Sequence, residues 1–171
     1  MVKNLRGIVS FVGIGSNLGS PVNNCFRAVE LMSSLNGVNV LKRSSLYRTE
    51  PVGLLEQEWF VNCVAKVATV LSAHSLLRAF QQIESDMGRK RTISKGSRTM
   101  DMDILFYGHN IVEEDGLMIP HPELHKRRFV LAPLCEIAPN FVHPVCGVPV
   151  KELLNSLEDK SEVVKLDQPA N

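Results

Sequence analysis

Apolar positions along the chain switch between two periods. Residues 8–14 are apolar and β-branched and stop at Gly15-Ser16-Asn17, the pattern of a buried strand entering a turn. Residues 23–35 then carry apolar side chains at helical spacing. Residues 38–47 predict a second strand and 59–70 (WFVNCVAKVATV) a third, its later part alternating like a half-buried strand, with a loop over 49–58 before it. In 75–87, Leu76, Leu77, Phe80, Ile83 and Met87 share one helical face, with Ser75 as N-terminal cap and Gly88 as the stop. A polar, basic stretch follows, and residues 102–107 (MDILFY) return as a strand turned at Gly108-His109-Asn110.

The order β-α-β-β-α-β predicts an α+β fold of the split βαβ, or ferredoxin-like, kind. Its helices would cover one face of a largely antiparallel sheet and leave the other face free for a ligand. Beyond residue 119 the chain is rich in proline, with short helices expected near 128–137 and 150–157. This part reads as a C-terminal elaboration of the same domain, and the charged tail, about 159–171, is expected to fray.

Composition narrows the picture. With 171 residues, 44% of them hydrophobic, the chain suits one domain, 1–171, with a core of its own. A net charge of +1 gives no overall bias toward nucleic acid or an anionic membrane, so any basic function must be local. Cys25, Cys63, Cys135 and Cys146 form neither a CxxC pair nor a disulfide framework, which suits reduced thiols in the cytoplasm. No apolar run approaches the length of a membrane span, and residues 1–6 do not read as a secretion signal.

The strongest chemical signal is Arg98-Thr-Met-Asp101-Met-Asp103, an acidic pair at i, i+2 entering an apolar strand. Both carboxylates would project from one face of that strand, where their repulsion is relieved by a divalent cation or, on a plainer reading, by solvent at an exposed edge. Directly before them, Arg89, Lys90, Arg91, Lys95 and Arg98 crowd a loop that Gly96 lets bend. Phosphate plus metal calls for both signs of charge. A solvated surface or a nucleic-acid patch is the alternative, and the loop has no aromatic side chain to stack on a base.

Other features are weaker. Val12-Gly-Ile-Gly-Ser-Asn-Leu-Gly19 joins strand to helix but has leucine where a dinucleotide fingerprint needs its third glycine. His121-Pro-Glu-Leu-His125 lacks the zinc HExxH spacing, although Lys126, Arg127 and Arg128 leave a phosphate or ribose contact open for His121. Thr49 to Gly53 and Trp59 to Asn62 bracket one loop, where an aromatic face and an amide suit either core packing or a flat heterocycle.

In order along the chain, GIGSNLG, SSLYRTEPVG, FVN, IESDMGRKR, RTMDMDILF and IPHPELHKRRFVLAPLCEIAP resemble the successive motifs of the 6-hydroxymethyl-7,8-dihydropterin pyrophosphokinase family. The resemblance implies a ferredoxin-like α+β fold and transfer of pyrophosphate from Mg-ATP to the pterin hydroxymethyl group in folate biosynthesis. It implies that Asp101 and Asp103 hold two Mg²⁺ ions and that Arg89, Arg91 and Arg98 assist transfer. Gln81, Glu84, Ile104, His121 and Arg127 fall on the ATP side. Thr49, Val52, Gly53, Phe60, Asn62 and Phe129 fall on the pterin side. The partners expected are ATP and the dihydropterin, with no nucleic acid and no membrane, for a cytoplasmic monomer. The chain departs from the family pattern at Phe60, Ser97 and Met102, and at Lys95, where well-known bacterial members carry an aromatic at the tip of a loop one residue longer.

Overall fold

In the computed structural model, which describes residues 7–53, 56–88 and 100–167, the elements in chain order are β1 (Ile8–Ser16), α1 (Pro21–Ser33), β2 (Val38–Arg43), β3 (Tyr47–Thr49), β4 (Phe60–Thr69) and α2 (Ala73–Asp86). They continue with β5 (Asp101–Tyr107), β6 (Val112–Glu114), β7 (Leu117–Ile119), α3 (Arg128–Ile137), α4 (Val150–Asn155) and β8 (Val163–Lys165). Among the described residues, no helix is long and apolar enough to cross a membrane.

β1 is apolar on both faces, which suits only the middle of a sheet, and it lies between β4 and β5, antiparallel to both. The sheet runs β5-β1-β4-β3-β8, and β2 also pairs with β4. The strand pairings among the described residues are antiparallel, so the α+β expectation holds. One strand expected over 38–47 is two. Ser44 breaks it because its N–H donates to Val64 O (2.8 Å) while its Oγ accepts from Val64 N (2.9 Å), so a side chain stands where the ladder needs main chain. The α2 cap is Ser72, not Ser75: Ser72 Oγ accepts from the Ser75 N–H at 3.2 Å and the helix begins at Ala73. Gly88 ends it at φ 84°, a left-handed conformation that glycine takes without penalty.

The helices do not keep to one face. Val12, Ile14, Cys63, Ala65, Met102 and Ile104 pack against Cys25, Ala28 and Met32 of α1 and Leu76, Phe80 and Ile83 of α2. On the opposite face Phe11, Val64, Leu105 and Phe106 are covered by Leu131 and Leu134 of α3 and Val150 of α4. The strands are apolar on both sides, and leaving the second side wet would cost about 25 cal/mol per Å². The C-terminal elaboration is therefore a second layer, and the free face contracts to the end of the sheet that carries Gly13, Gly15, Asn62, Asp101 and Asp103. A β-bulge contributes: Phe11 pairs with Phe106 and Val12 with Ile104, which skips Leu105 and puts Leu105 and Phe106 in the same core. The tail expected to fray supplies β8, whose Val163–Lys165 pairs with the exposed edge of β3.

Candidate functional site

Asp101 and Asp103 share the parity of β5 that faces away from α1 and α2, and both are half-buried. Across the ladder their partners are Gly15 and Gly13. Two residues without side chains leave the strip beside the carboxylates bare, which explains the glycines better than a nucleotide fingerprint does. On the other side of β1, Gly15 pairs with Asn62, and a Cβ at position 15 would stand 2.3 Å from Asn62 Oδ1. The Asn62 amide donates to Thr49 Oγ1 at 2.6 Å, so β3 and β4 hold that side chain in one orientation.

Gly15, Thr49, Asn62, Asp101 and Asp103 line a cleft of about 730 Å³, counted out to its open mouth. Phe60 enters from the start of β4 and Phe129 from the first turn of α3. The Arg127 guanidinium lies 5.7 Å from the Phe129 ring centre, and Arg127 lines the cleft as well. His121 is held against β5 by its N–H, which donates to Leu105 O at 3.0 Å. Its Nδ1 accepts from Glu123 N at 3.2 Å. Burial, and then the Arg127 charge, push the His121 pKa below its ordinary value against the opposing pull of Asp101 and Glu123. The ring is therefore neutral near pH 7, with its proton on Nε2 as a donor.

The anchoring lies around the cleft. Asn17, 2% exposed, donates from Nδ2 to Gln57 Oε1 (3.1 Å) and Glu58 O (3.0 Å), tying the turn after β1 to the loop before β4. Glu136 on α3 accepts from Ser45 N (3.0 Å), Ser45 Oγ (2.8 Å) and Tyr47 Oη (2.5 Å), which seats that helix on β3. Burial alone would raise the Glu136 pKa, but these bonds and Lys165 bring it below the ordinary carboxylate value.

Of the residues expected at the site, Asp101, Asp103, His121, Arg127, Thr49, Val52, Phe60, Asn62 and Phe129 meet in this cleft. Gly53 is exposed at φ 95° beside Val52 and does not line it. Gln81 is exposed on α2, and Ile104, of opposite parity to the two aspartates, is buried against the helices. Glu84, 4% exposed, accepts from Met102 N at 2.8 Å and so fastens α2 to β5 between the two carboxylates. Arg89, Arg91 and Arg98 lie outside the described residues. Trp59 does not line the cleft: the Arg48 guanidinium sits 4.5 Å from its ring centre. Gly15, Glu50, Leu105 and Val130 also line the cleft, beyond the ligand contacts that the motifs imply. Parity along β1 and β5 points to Gly15 and Leu105, while Glu50 and Val130 leave no signal of their own in the sequence.

Among relatives, this chain is 39% identical over 160 residues to the 2-amino-4-hydroxy-6-hydroxymethyldihydropteridine pyrophosphokinase of Haemophilus influenzae, spanning 94% of this chain and 99% of that protein. It is 41% identical over 149 residues to the folic acid synthesis protein fol1 of Pneumocystis carinii, covering 87% of this chain but about a fifth (20%) of that longer relative. The crystal structure of Plasmodium falciparum HPPK-DHPS wild type with pteroate superposes with a TM-score of 0.70 over 86% of this chain and 42% of that one, at 15% identity, a likeness of fold. The family model for 7,8-dihydro-6-hydroxymethylpterin-pyrophosphokinase (HPPK) matches residues 11–139, and with the relatives above it establishes that the chain belongs to this family.

Proposed function

We propose that the chain transfers the β,γ-pyrophosphoryl group of Mg-ATP to the hydroxymethyl oxygen of 6-hydroxymethyl-7,8-dihydropterin, releasing AMP, as a step of folate synthesis. The observation that carries this is the shared cleft: Asp101 and Asp103 open onto the same space as the Phe60 and Phe129 rings and the Asn62 amide. One end suits phosphate and metal, the other a flat heterocycle. Family membership and the named relatives point the same way.

Two hard carboxylate donors on one strand face, beside two glycines, fit a hard divalent ion. Bound there with ATP, Mg²⁺, two ions on this reading, supplies charge neutralisation for the phosphates. The protein's own groups do the rest. Phe60 and Phe129 take the pterin between them, and Asn62, held by Thr49, bonds its edge. Neutral His121 donates from Nε2 to a nucleotide oxygen, and Arg127 adds positive charge on the same side. Glu84 positions the start of β5, and so the aspartate pair, through the Met102 N–H. Gln81, Ile104 and Gly53, which do not line the cleft, act on the substrates only through the elements that carry them. Arg89, Arg91 and Arg98 bring positive charge to the transferring group. The sheet order supports reading the fold as ferredoxin-like, with the second strand divided into β2 and β3. We place the enzyme in the cytoplasm, consistent with its free cysteines, and take it to act as a monomer. An RNA-binding sheet face is disfavoured because α3 and α4 cover much of it.

The test is to incubate the purified protein with Mg-ATP and 6-hydroxymethyl-7,8-dihydropterin and identify the nucleotide product by chromatography, with Asp101→Ala alongside. AMP formed only with pterin, Mg²⁺ and intact Asp101 is the expected result. ADP would assign a simple phosphoryl transfer instead, and no product would reject the proposal.

A further inference from the structure

The tail segment 159–165 lies beyond the residues that the family model matches and does not line the cleft, yet it bonds to both of the cleft's walls. The first wall is the start of α3. That helix has no cap of its own, since Arg127 at the N-cap position makes no side-chain bond. Asp159 supplies one from 31 residues away: its Oδ2 accepts from the Arg128 N–H at 2.9 Å, while its Oδ1 accepts from the Ser161 N–H at 2.8 Å. A carboxylate suits the positive end of a helix. Burial alone would raise the Asp159 pKa, but the bonds from Ser161 and Arg128, with the Arg128 charge, bring it below the ordinary carboxylate value. Phe129 follows directly in that first turn. The second wall is the stretch after β3. Glu50 N–H donates to Glu162 O (2.9 Å) and Glu162 N–H donates to Glu50 Oε2 (2.9 Å), and Glu50 lines the cleft with Thr49 and Val52. Val163–Lys165 then pairs along Tyr47–Thr49.

We propose that Asp159 is a positioning residue for the pterin: it holds the first turn of α3, and with it the Phe129 ring, at a set distance from the wall formed by residues 49–52. The role rests on the pterin reading of that end of the cleft. Three residues of chain reach at most about 10–11 Å, so bonds at positions 159 and 162 bound the gap between the two walls. Without Asp159 the Arg128 N–H has no partner within its own helix, and the first turn frays. The rest of α3 stays seated by Leu131, Leu134 and Glu136, so the effect falls on Phe129 and spares the fold and the aspartate pair. A ring already in place spares the pterin the cost of ordering it on binding. Loosening the ring therefore weakens the hold on pterin in the ground state and the transition state alike, which raises KM and leaves kcat.

The test is steady-state kinetics of the full chain in the AMP assay, comparing the parent with Asp159→Ala and with Glu158→Ala, which removes an exposed carboxylate from the neighbouring position. Both variants are checked for folding by circular dichroism. In Asp159→Ala the pterin KM should rise about five- to tenfold, with kcat and the ATP KM within about twofold of the parent. Asp159→Asn keeps an oxygen for the Arg128 N–H and should recover part of the loss, while Glu158→Ala should match the parent. An unchanged pterin KM in Asp159→Ala, a fall in kcat instead, or an equal rise in Glu158→Ala would overturn the assignment. A parent that forms no AMP rejects the proposed reaction on separate grounds. The hold on α3 is then read from hydrogen exchange at the Arg128 amide, which should quicken about fivefold or more in Asp159→Ala but not in Glu158→Ala. Exchange unchanged in Asp159→Ala would overturn the clamp itself.

Discussion

Gly15→Ala tests the geometry of the cleft at one methyl group. The added Cβ would lie 2.3 Å from Asn62 Oδ1, about 1 Å inside ordinary van der Waals contact. The backbone is farther away, with Val61 O at 3.9 Å, so it is the Asn62 side chain that has to yield. Turning it breaks the 2.6 Å bond to Thr49 Oγ1, worth about 0.5–1.5 kcal/mol. Overpacking adds about 1–3 kcal/mol, against which alanine regains roughly 0.5–1 kcal/mol of chain entropy over glycine. The net loss expected is about 1–3 kcal/mol, or roughly 2–12 °C in thermal midpoint for a chain of this size. Because Asn62 is also the proposed pterin contact, KM for pterin should rise about tenfold or more, equivalent to ~1.4 kcal/mol, with a smaller change for ATP. Gly13→Ala is the control: its Cβ meets Leu105 Cδ2 at 3.4 Å, and stability should stay within about 1 kcal/mol of the parent. The decisive assay is a double-mutant cycle by thermal unfolding, since on an Asn62→Ala background the obstructing atom is gone and Gly15→Ala should cost much less. Equal costs in the two backgrounds would refute the reasoning.

Two further outcomes follow from the same geometry. Asp103→Ala should remove Mg-dependent turnover in the AMP assay while the circular dichroism spectrum stays that of the parent, because its side chain faces the cleft and not the helix-side core; near-normal rates would reject the metal role. Glu136→Ala strands the Ser45 N–H and the Tyr47 hydroxyl and should cost about 1–3 kcal/mol in denaturant unfolding at pH 7. The Glu136 pKa is depressed in the folded state, so its contribution is full above the unfolded carboxyl pKa, roughly 4.3, and is lost as pH falls through the folded value. The stability gap between parent and variant should therefore close in acid, and a gap independent of pH would show that the carboxylate is not what seats α3.

Much of the fold and of the cleft is legible in the order of residues because local chemistry decides it. Period-two and helical runs place β1, β4, β5, α1, α2 and α3 within a few residues, and the i, i+2 spacing alone puts Asp101 and Asp103 on one face. The motifs carry the family and bring Thr49, Val52, Phe60, Asn62, His121, Arg127 and Phe129 to one site. What stays hidden are pairings between residues far apart in the chain. Ser44 divides a strand only because Val64 lies opposite it, Val163–Lys165 becomes a strand only because β3 offers an edge, and Phe11 and Leu105 need α3 and α4 as a second layer only once β1 and β5 are neighbours. The bareness of Gly13 and Gly15 has meaning only beside Asp101, Asp103 and Asn62. The sequence by itself determined the elements, the strand faces and the chemical repertoire, since those follow from the preferences of neighbouring residues. Tertiary structure alone decided register, layering and which side chains meet, because those depend on long-range burial and hydrogen bonding that no short window of sequence contains.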